Sequence, residues 1–234
     1  MSEPYSPFDI LQWLSPQSQR TFVAASRSRK LPARAMIYQQ AEPGDAMYRL
    51  VSGSVRLSVM RTDGRELIYQ LFEPGDCFGT SSLVDDEPRP QTAEAFEDVD
   101  LQRIDRAALD QLRHACADMN DALLRLLSRH MRLLSDHFAG SSLDELACRV
   151  AQRLIDTVDA FGVEIADGFR LGTRLPQSEL ALMVGSTRQS VNKALHDFQL
   201  AGLVVVQHNG IVVRDLSRLR DIARDGSRLR SFAA

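Results

Sequence analysis

The chain has 234 residues, 44% of them hydrophobic and 25% charged, and a formal net charge of −3. That length accommodates one large domain or two small ones, each with its own core. The composition is that of a soluble globular protein, and no apolar run approaches the roughly 20 residues a membrane helix needs.

The opening stretch MSEPYSPFDILQWL has no basic region followed by an apolar one, so it does not read as a secretory signal and a cytoplasmic location is expected. Cys77, Cys116 and Cys148 are far apart and form neither a CxxC pair nor a zinc spacing. They read as free thiols, with a redox role for loop residue Cys77 as the alternative.

Residues 30–105 are punctuated by turns: EPGD at 42–45, SGS at 52–54, DG at 63–64 and EPGD again at 73–76. Short alternating or β-branched runs lie between them (MYRLV, VRLSVM, LIYQLF). Strands at this spacing predict an all-β barrel or sandwich. At residue 116 the period changes. Ala117, Asn120, Leu124, Leu127, Met131, Leu134 and Phe138 recur at spacings of three and four, the seam of a helix over 116–139. The helix either packs on its own domain or pairs with a second copy. The seam favours a homodimer through Leu124, Leu127, Met131, Leu134 and Phe138.

AGSS at 139–142 interrupts the pattern, and the chain beyond it reads helix, helix, helix, hairpin. The helices are expected at 143–158, 176–185 and 187–202, the last two ending at Gly185 and Gly202. Two β-branched runs flank Asn209-Gly210, a strong hairpin signal. The expected division is thus a β-domain over 1–115, a pairing helix over 116–139 and a helical domain with a hairpin over 140–234. Charge follows it unevenly. Residues 168–234 hold ten Arg or Lys against five Asp or Glu, a net +5, so residues 1–167 carry −8. A basic end on an acidic body suggests contact with a polyanion.

The helix over 187–202 has two chemically distinct faces. Thr187 can cap it. At 100° per residue, Arg188, Asn192, Gln189 and Lys193 fall at about 0°, 40°, 100° and 140°, opposite Val191, Ala194, Leu195 and Phe198. A guanidinium, two carboxamides and an ammonium are the groups that read base edges: Arg pairs with guanine, Gln or Asn with adenine, Lys with guanine or phosphate. With a short helix before it and the tight VGST link, this is a helix-turn-helix for double-stranded DNA. The hairpin, with His208 and Asn209 at its tip, would be a wing on the phosphate backbone. Ser186 in the link and Gln177 at the start of the first helix join the candidate DNA contacts.

These residues carry a resemblance to the Crp/Fnr family of transcription regulators that covers nearly the whole chain. In the first domain it rests on PGDAMYRLVSGSVRLSV, DGRELIYQLFEPGDCFG and AFEDVDL; in the second on QSELALMVGSTRQSVNKAL. The resemblance implies an α+β protein: an N-terminal jelly-roll-like β-roll of the cyclic-nucleotide-binding kind, a long dimerisation helix and a C-terminal winged helix-turn-helix. It implies a homodimer on palindromic promoter sites, with RNA polymerase as a protein partner. By position, Arg188, Gln189 and Lys193 match the base-reading residues. Cyclic-AMP-responsive members carry a glutamate where this chain has Gln189, so the preferred half-site differs.

The segment FGTSSLVDDEPRPQTAEA (78–95) matches the family's phosphate-binding stretch. Gly79, Thr80, Ser81, Ser82 and Arg89 are therefore candidate contacts for a small anionic ligand: free backbone N–H groups at the start of a short helix, plus a fixed positive charge. The family pattern has glycine-glutamate where this chain has Gly79-Thr80. It has arginine followed by serine or threonine where this chain has Arg89-Pro90, and a proline offers neither hydroxyl nor N–H. The threonine-serine pair of the dimer helix stands here as Leu134-Ser135, which keeps Ser135 as a further candidate ligand contact. These departures argue against cyclic AMP as effector. Arg89 then holds another anion, or pairs with Asp85, Asp86 or Glu87.

Neither a cofactor nor a metal is expected. Iron–sulfur sensing needs a cysteine cluster, and no haem-ligand arrangement is recognisable. Catalysis by a cupin-like metalloenzyme would need histidines inside the β-domain, but all five follow residue 113. A cyclic-nucleotide-binding regulatory subunit would lack the reader helix and wing.

Overall fold

The computed structural model describes residues 5–171, 175–207 and 210–225. Contacts divide the chain into two compact units, with the boundary between Ser135 and Asp136.

The first unit begins with a 3-10 turn, Ile10–Trp13, capped by Asp9, whose carboxylate accepts from Leu11 N at 3.0 Å. Helix α1 (Pro16–Ala25) follows, with Ser15 as its N-cap and proline at its first position, where a missing N–H costs nothing. Neither element is evident from apolar periodicity. Eight strands come next: β1 (Arg27–Leu31), β2 (Met36–Tyr38), β3 (Ala46–Ser52), β4 (Val55–Met60), β5 (Glu66–Phe72), β6 (Cys77–Phe78), β7 (Thr92–Ala95) and β8 (Val99–Asp105). They pair in two four-stranded sheets, β1-β8-β3-β6 and β2-β7-β4-β5, every pair antiparallel. A four-residue helix, α2 (Ser81–Val84), lies between β6 and β7.

The period-two alternation of β3 separates two cores. Ala46, Tyr48 and Leu50 join Val55, Leu57, Phe72, Phe78 and Leu101 in one cluster. Met47, between them, joins the other with Ile10, Phe22, Ile104 and residues of α3 (Arg106–Ala115) and α4 (Met119–Leu143). In the first cluster Tyr38, Tyr48, Phe78 and Phe72 form a ladder of rings whose successive centroids lie 6.0, 5.4 and 5.5 Å apart.

Helix α4 buries Met119, Ala122, Leu123 and Leu126 against that second core. It does not stop at 139–142 as the sequence suggests; it continues to Leu143. Ser141 Oγ donates to Phe138 O at 3.0 Å and Asp144 N to Gly140 O at 3.0 Å, so the small residues are held in helical hydrogen bonding. The next helix accordingly begins later than predicted.

In the second unit α5 (Leu146–Phe161) buries Val150, Ala151, Leu154, Ile155 and Val158. Then come β9 (Val163–Ile165), β10 (Gly168–Arg170), α6 (Gln177–Met183), α7 (Arg188–Leu200), β11 (Val204–Gln207), β12 (Gly210–Val213) and α8 (Leu216–Arg224). The expected two-stranded hairpin is half of a four-stranded sheet, β11-β12-β10-β9. The addition is the β9–β10 hairpin, seated on β12 through Phe169–Val213 and Arg170–Val212 pairs. Leu154, Leu180, Val191, Phe198, Leu203, Val213, Leu219 and Ile222 form a sealed interior.

No helix among the described residues is long and apolar enough to cross a membrane. Cys77, Cys116 and Cys148 are all buried, and none of them forms a disulfide. Burial pushes the Cys77 thiol well up, which removes the thiolate that a redox role needs.

Candidate nucleic-acid interface and effector pocket

The link between α6 and α7 is built by helix-end chemistry. Gly185 takes φ +60°, a left-handed conformation that ends α6. Ser186 N donates to Ala181 O at 3.0 Å and Gly185 N to Leu182 O at 3.4 Å, the paired bonds of a Schellman stop. Two residues later Thr187 caps α7: its Oγ1 accepts from Ser190 N at 3.1 Å. One helix therefore stops and the next starts within four residues.

This places the two faces of α7 as the sequence predicts. Val191, Ala194, Leu195 and Phe198 are buried. Arg188, Gln189, Asn192 and Lys193 are exposed, and none of the four has a hydrogen-bond or salt-bridge partner among the described residues. Thr187 is exposed beside them, while Ser186 and Gln177 are half-buried. His208, expected at the wing tip, lies outside the described residues.

The candidate anion site is different in kind. Arg89 is 2% exposed, and its guanidinium is committed to the protein itself. Nη1 donates to Gly79 O at 2.7 Å; Nη2 donates to Ala46 O at 2.6 Å and reaches Asp45 Oδ1 at 3.3 Å. The Tyr38 ring lies against it, 4.3 Å from centroid to guanidinium carbon. The pairing expected with Asp85, Asp86 or Glu87 is not formed. Asp86 binds Arg106 at 2.5 Å, and Asp85 accepts from Glu87 N at 3.1 Å. The carboxylate that meets Arg89 is Asp45, from the first EPGD turn. Partial burial alone would raise the Asp45 carboxyl, but the hydrogen bond from Arg103 and the charges of Arg103 and Arg89 hold it below its usual range.

Gly79 and Arg89 are thus brought together, with no room to spare. Gly79 has φ +74°, and a Cβ there would stand 2.9 Å from Arg89 Nη1. Thr80 and Ser82 are buried, and Ser81 is half-buried on α2. Two hydroxyls and one guanidinium nitrogen of this region, Thr80 Oγ1, Tyr38 Oη and Arg89 Nε, are sealed without a partner. Ser135, by contrast, is exposed on α4 and donates to Met131 O at 3.0 Å. Sequence reasoning missed Tyr38, Ala46 and Asp45. The only available signal was the second EPGD, whose Asp76 is buried and bonded to Glu73 N, whereas Asp45 is turned toward arginines.

The stripe on α4 is also in place. Leu124, Met131, Leu134 and Phe138 are 64%, 69%, 48% and 74% exposed, and Leu127 is half-buried. Four large apolar side chains on one helix without cover are a marker of an interaction surface.

Comparison with known proteins agrees with both halves. Residues 28–116 match the family model of the cyclic nucleotide-binding domain, and residues 148–222 match that of the Crp-like helix-turn-helix domain. The chain is 30% identical over 224 residues to the CRP-like cAMP-activated global transcriptional regulator of Mycobacterium tuberculosis, covering 96% of this chain and 100% of that one. A transcriptional regulator of the CRP family from Thermus thermophilus superposes with a TM-score of 0.73 at 26% identity, over 84% of this chain and 97% of that one. The c-di-GMP-responsive global regulator CLP of Xanthomonas campestris shares the fold, with a TM-score of 0.76 at 22% identity over 86% and 100% of the two chains. Two domain matches in this order, and a relative aligned along its whole length, place the chain in the Crp/Fnr family of transcription regulators.

Proposed function

We propose that this regulator binds palindromic promoter DNA as a homodimer, reads bases through Arg188, Gln189 and Lys193, and needs no cyclic AMP to do so. The base-reading assignment is supported by four exposed, unpartnered hydrogen-bonding side chains on a capped helix whose opposite face is buried. Asn192 lies among them, and Thr187, Ser186 and Gln177 flank them and serve phosphate contacts. The exposed stripe on α4 supports pairing, since two parallel copies would cover it. RNA polymerase is the protein partner this reading implies.

One observation carries the cyclic-AMP part. The guanidinium that would meet a phosphate already donates to Gly79 O and Ala46 O and lies over Tyr38. A nucleotide would have to break charge-assisted bonds at a buried site before gaining its own. Thr80 in place of a carboxylate leaves a ribose diol poorly matched, and Leu134 leaves an adenine amine without a partner. Each unpaired polar group costs about 1–3 kcal/mol, so two imply a loss of roughly 30-fold to 10⁴-fold in affinity.

The test is selection from random DNA with the purified full-length chain, followed by titration of the selected duplex with and without cyclic AMP. The proposal expects two inverted half-sites and one binding curve for both conditions. Micromolar affinity for cyclic AMP with tightened operator binding would overturn the effector claim. A single asymmetric half-site would overturn the dimer claim.

A further inference from the structure

Trp13, Leu124, Arg125, Ser128, Arg129 and Arg132 line an open groove of about 250 Å³ within the first unit. Three guanidiniums lie on one flank of α4, and the only tryptophan of the chain closes the other side from the 3-10 turn.

The charges are not all spoken for. Arg125 is held by Asp121 at 2.6 Å, one turn back on the same helix. Arg129 and Arg132 have no carboxylate partner among the described residues. Two guanidiniums without a carboxylate partner, with the Ser128 hydroxyl on the same lining, suit a phosphate, which accepts forked donors. An indole beside them suits a planar ring, and Leu124 adds apolar contact.

We propose that this groove binds a nucleoside monophosphate, with its base on Trp13 and its phosphate on Arg129 and Arg132. The site is separate from Gly79 and Arg89 and uses none of their atoms. Leu124 belongs both to the groove and to the exposed stripe, so the ligand would lie beside the surface assigned to pairing.

Because Trp13 is the only tryptophan, its fluorescence reports occupancy directly. The probes are GMP, AMP, guanosine and inorganic phosphate, titrated into the full-length chain with excitation at the red edge of the indole band. The proposal expects saturable quenching by a monophosphate, none by inorganic phosphate and little by the nucleoside. R129Q/R132Q should weaken the monophosphate about 10-fold or more; both side chains are solvent-facing, and an unchanged unfolding curve would show an intact fold. Absence of saturable quenching up to millimolar GMP and AMP overturns the site. Equal affinity in R129Q/R132Q overturns it too, by locating the ligand elsewhere. An equal response to inorganic phosphate overturns the nucleotide assignment. A parallel titration of M131D, designed to remain a monomer, separates this claim from pairing. Quenching in both proteins supports the site; quenching in M131D alone overturns it as a site of the native protein, because the assembly would then cover the groove.

Discussion

The Arg89 guanidinium lies 4.3 Å from the centre of the Tyr38 ring, and both side chains are buried. Desolvation raises the Tyr38 hydroxyl pKa despite the opposing charge of Arg89, so the ring stays neutral under the cation. The arginine acts as a strut: it joins Ala46 at the start of β3 to Gly79 just beyond β6.

Loss of that strut should therefore appear as instability. Arg89→Ala takes the guanidinium donor from the buried Ala46 carbonyl, at about 1–3 kcal/mol, and from the half-buried Gly79 carbonyl, and opens a cavity. Urea unfolding should show a loss of several kcal/mol. Gly79→Ala should also destabilise, because its Cβ would stand 2.9 Å from Nη1 and 3.3 Å from Ala46 O at φ +74°. An Arg89→Ala protein as stable as the parent would contradict the strut.

Pairing should be separable from folding. Met131 is 69% exposed, so Met131→Asp removes nothing from the core of its own chain. Its cost to the isolated fold should stay within about 0.5 kcal/mol, the range of exposed substitutions. In a two-fold seam the same carboxylate would be buried against its symmetry mate, at several kcal/mol. Light scattering should then show dimer for the parent and monomer for the variant, with the variant still unfolding cooperatively and its Tm no longer dependent on protein concentration. A parent protein that is monomeric at micromolar concentration would contradict the seam.

Acid sensitivity should trace in part to His130. Its ring stacks on Phe8 at 4.9 Å and lies 5.9 Å from Phe72; Nε2 has no partner, and burial lowers the pKa to about 4. The unfolded chain takes up this proton near 6.5, whereas the folded chain resists it until about 4. Stability from this group is thus present above about pH 6.5 and is lost as pH falls toward 4, by up to about 3 kcal/mol. His130→Phe keeps the stacking and removes the titration. Its stability advantage over the parent should grow as pH drops through that window. His137, also lowered to about 4 by burial and by the Arg153 charge, retains part of the slope. Parallel pH dependences of parent and variant would contradict this assignment.

The reader helix was legible in the sequence because both of its determinants are local. A 100° period separates Arg188 and Asn192 from Val191 and Leu195, and Thr187 and Gly202 mark its ends within the same stretch. The β-roll was legible from turn chemistry, down to the two EPGD corners. What escaped depends on distance along the chain. Asp45 and Ala46 are 44 and 43 residues from Arg89, so a local reading chose Asp85, Asp86 and Glu87 instead. The end of α4 was misplaced because Gly140 and the serines have weak helix propensity, which the hydrogen bonds of Ser141 and Asp144 override. Strands β9 and β10, three residues each, are too short to show a period.

The central claim is that α7 reads sequence, and Arg188→Ala tests it most directly. The measurement is affinity of parent and variant for the selected inverted-repeat duplex and for a scrambled duplex of equal length and salt. Loss of a bidentate base contact predicts a penalty of about 1–3 kcal/mol on the selected duplex, relaxed preference at one base pair of each half-site, and little change on the scrambled one. An equal loss on both duplexes would contradict the account, because Arg188 would then be a phosphate contact and the exposed face of α7 would carry no sequence information.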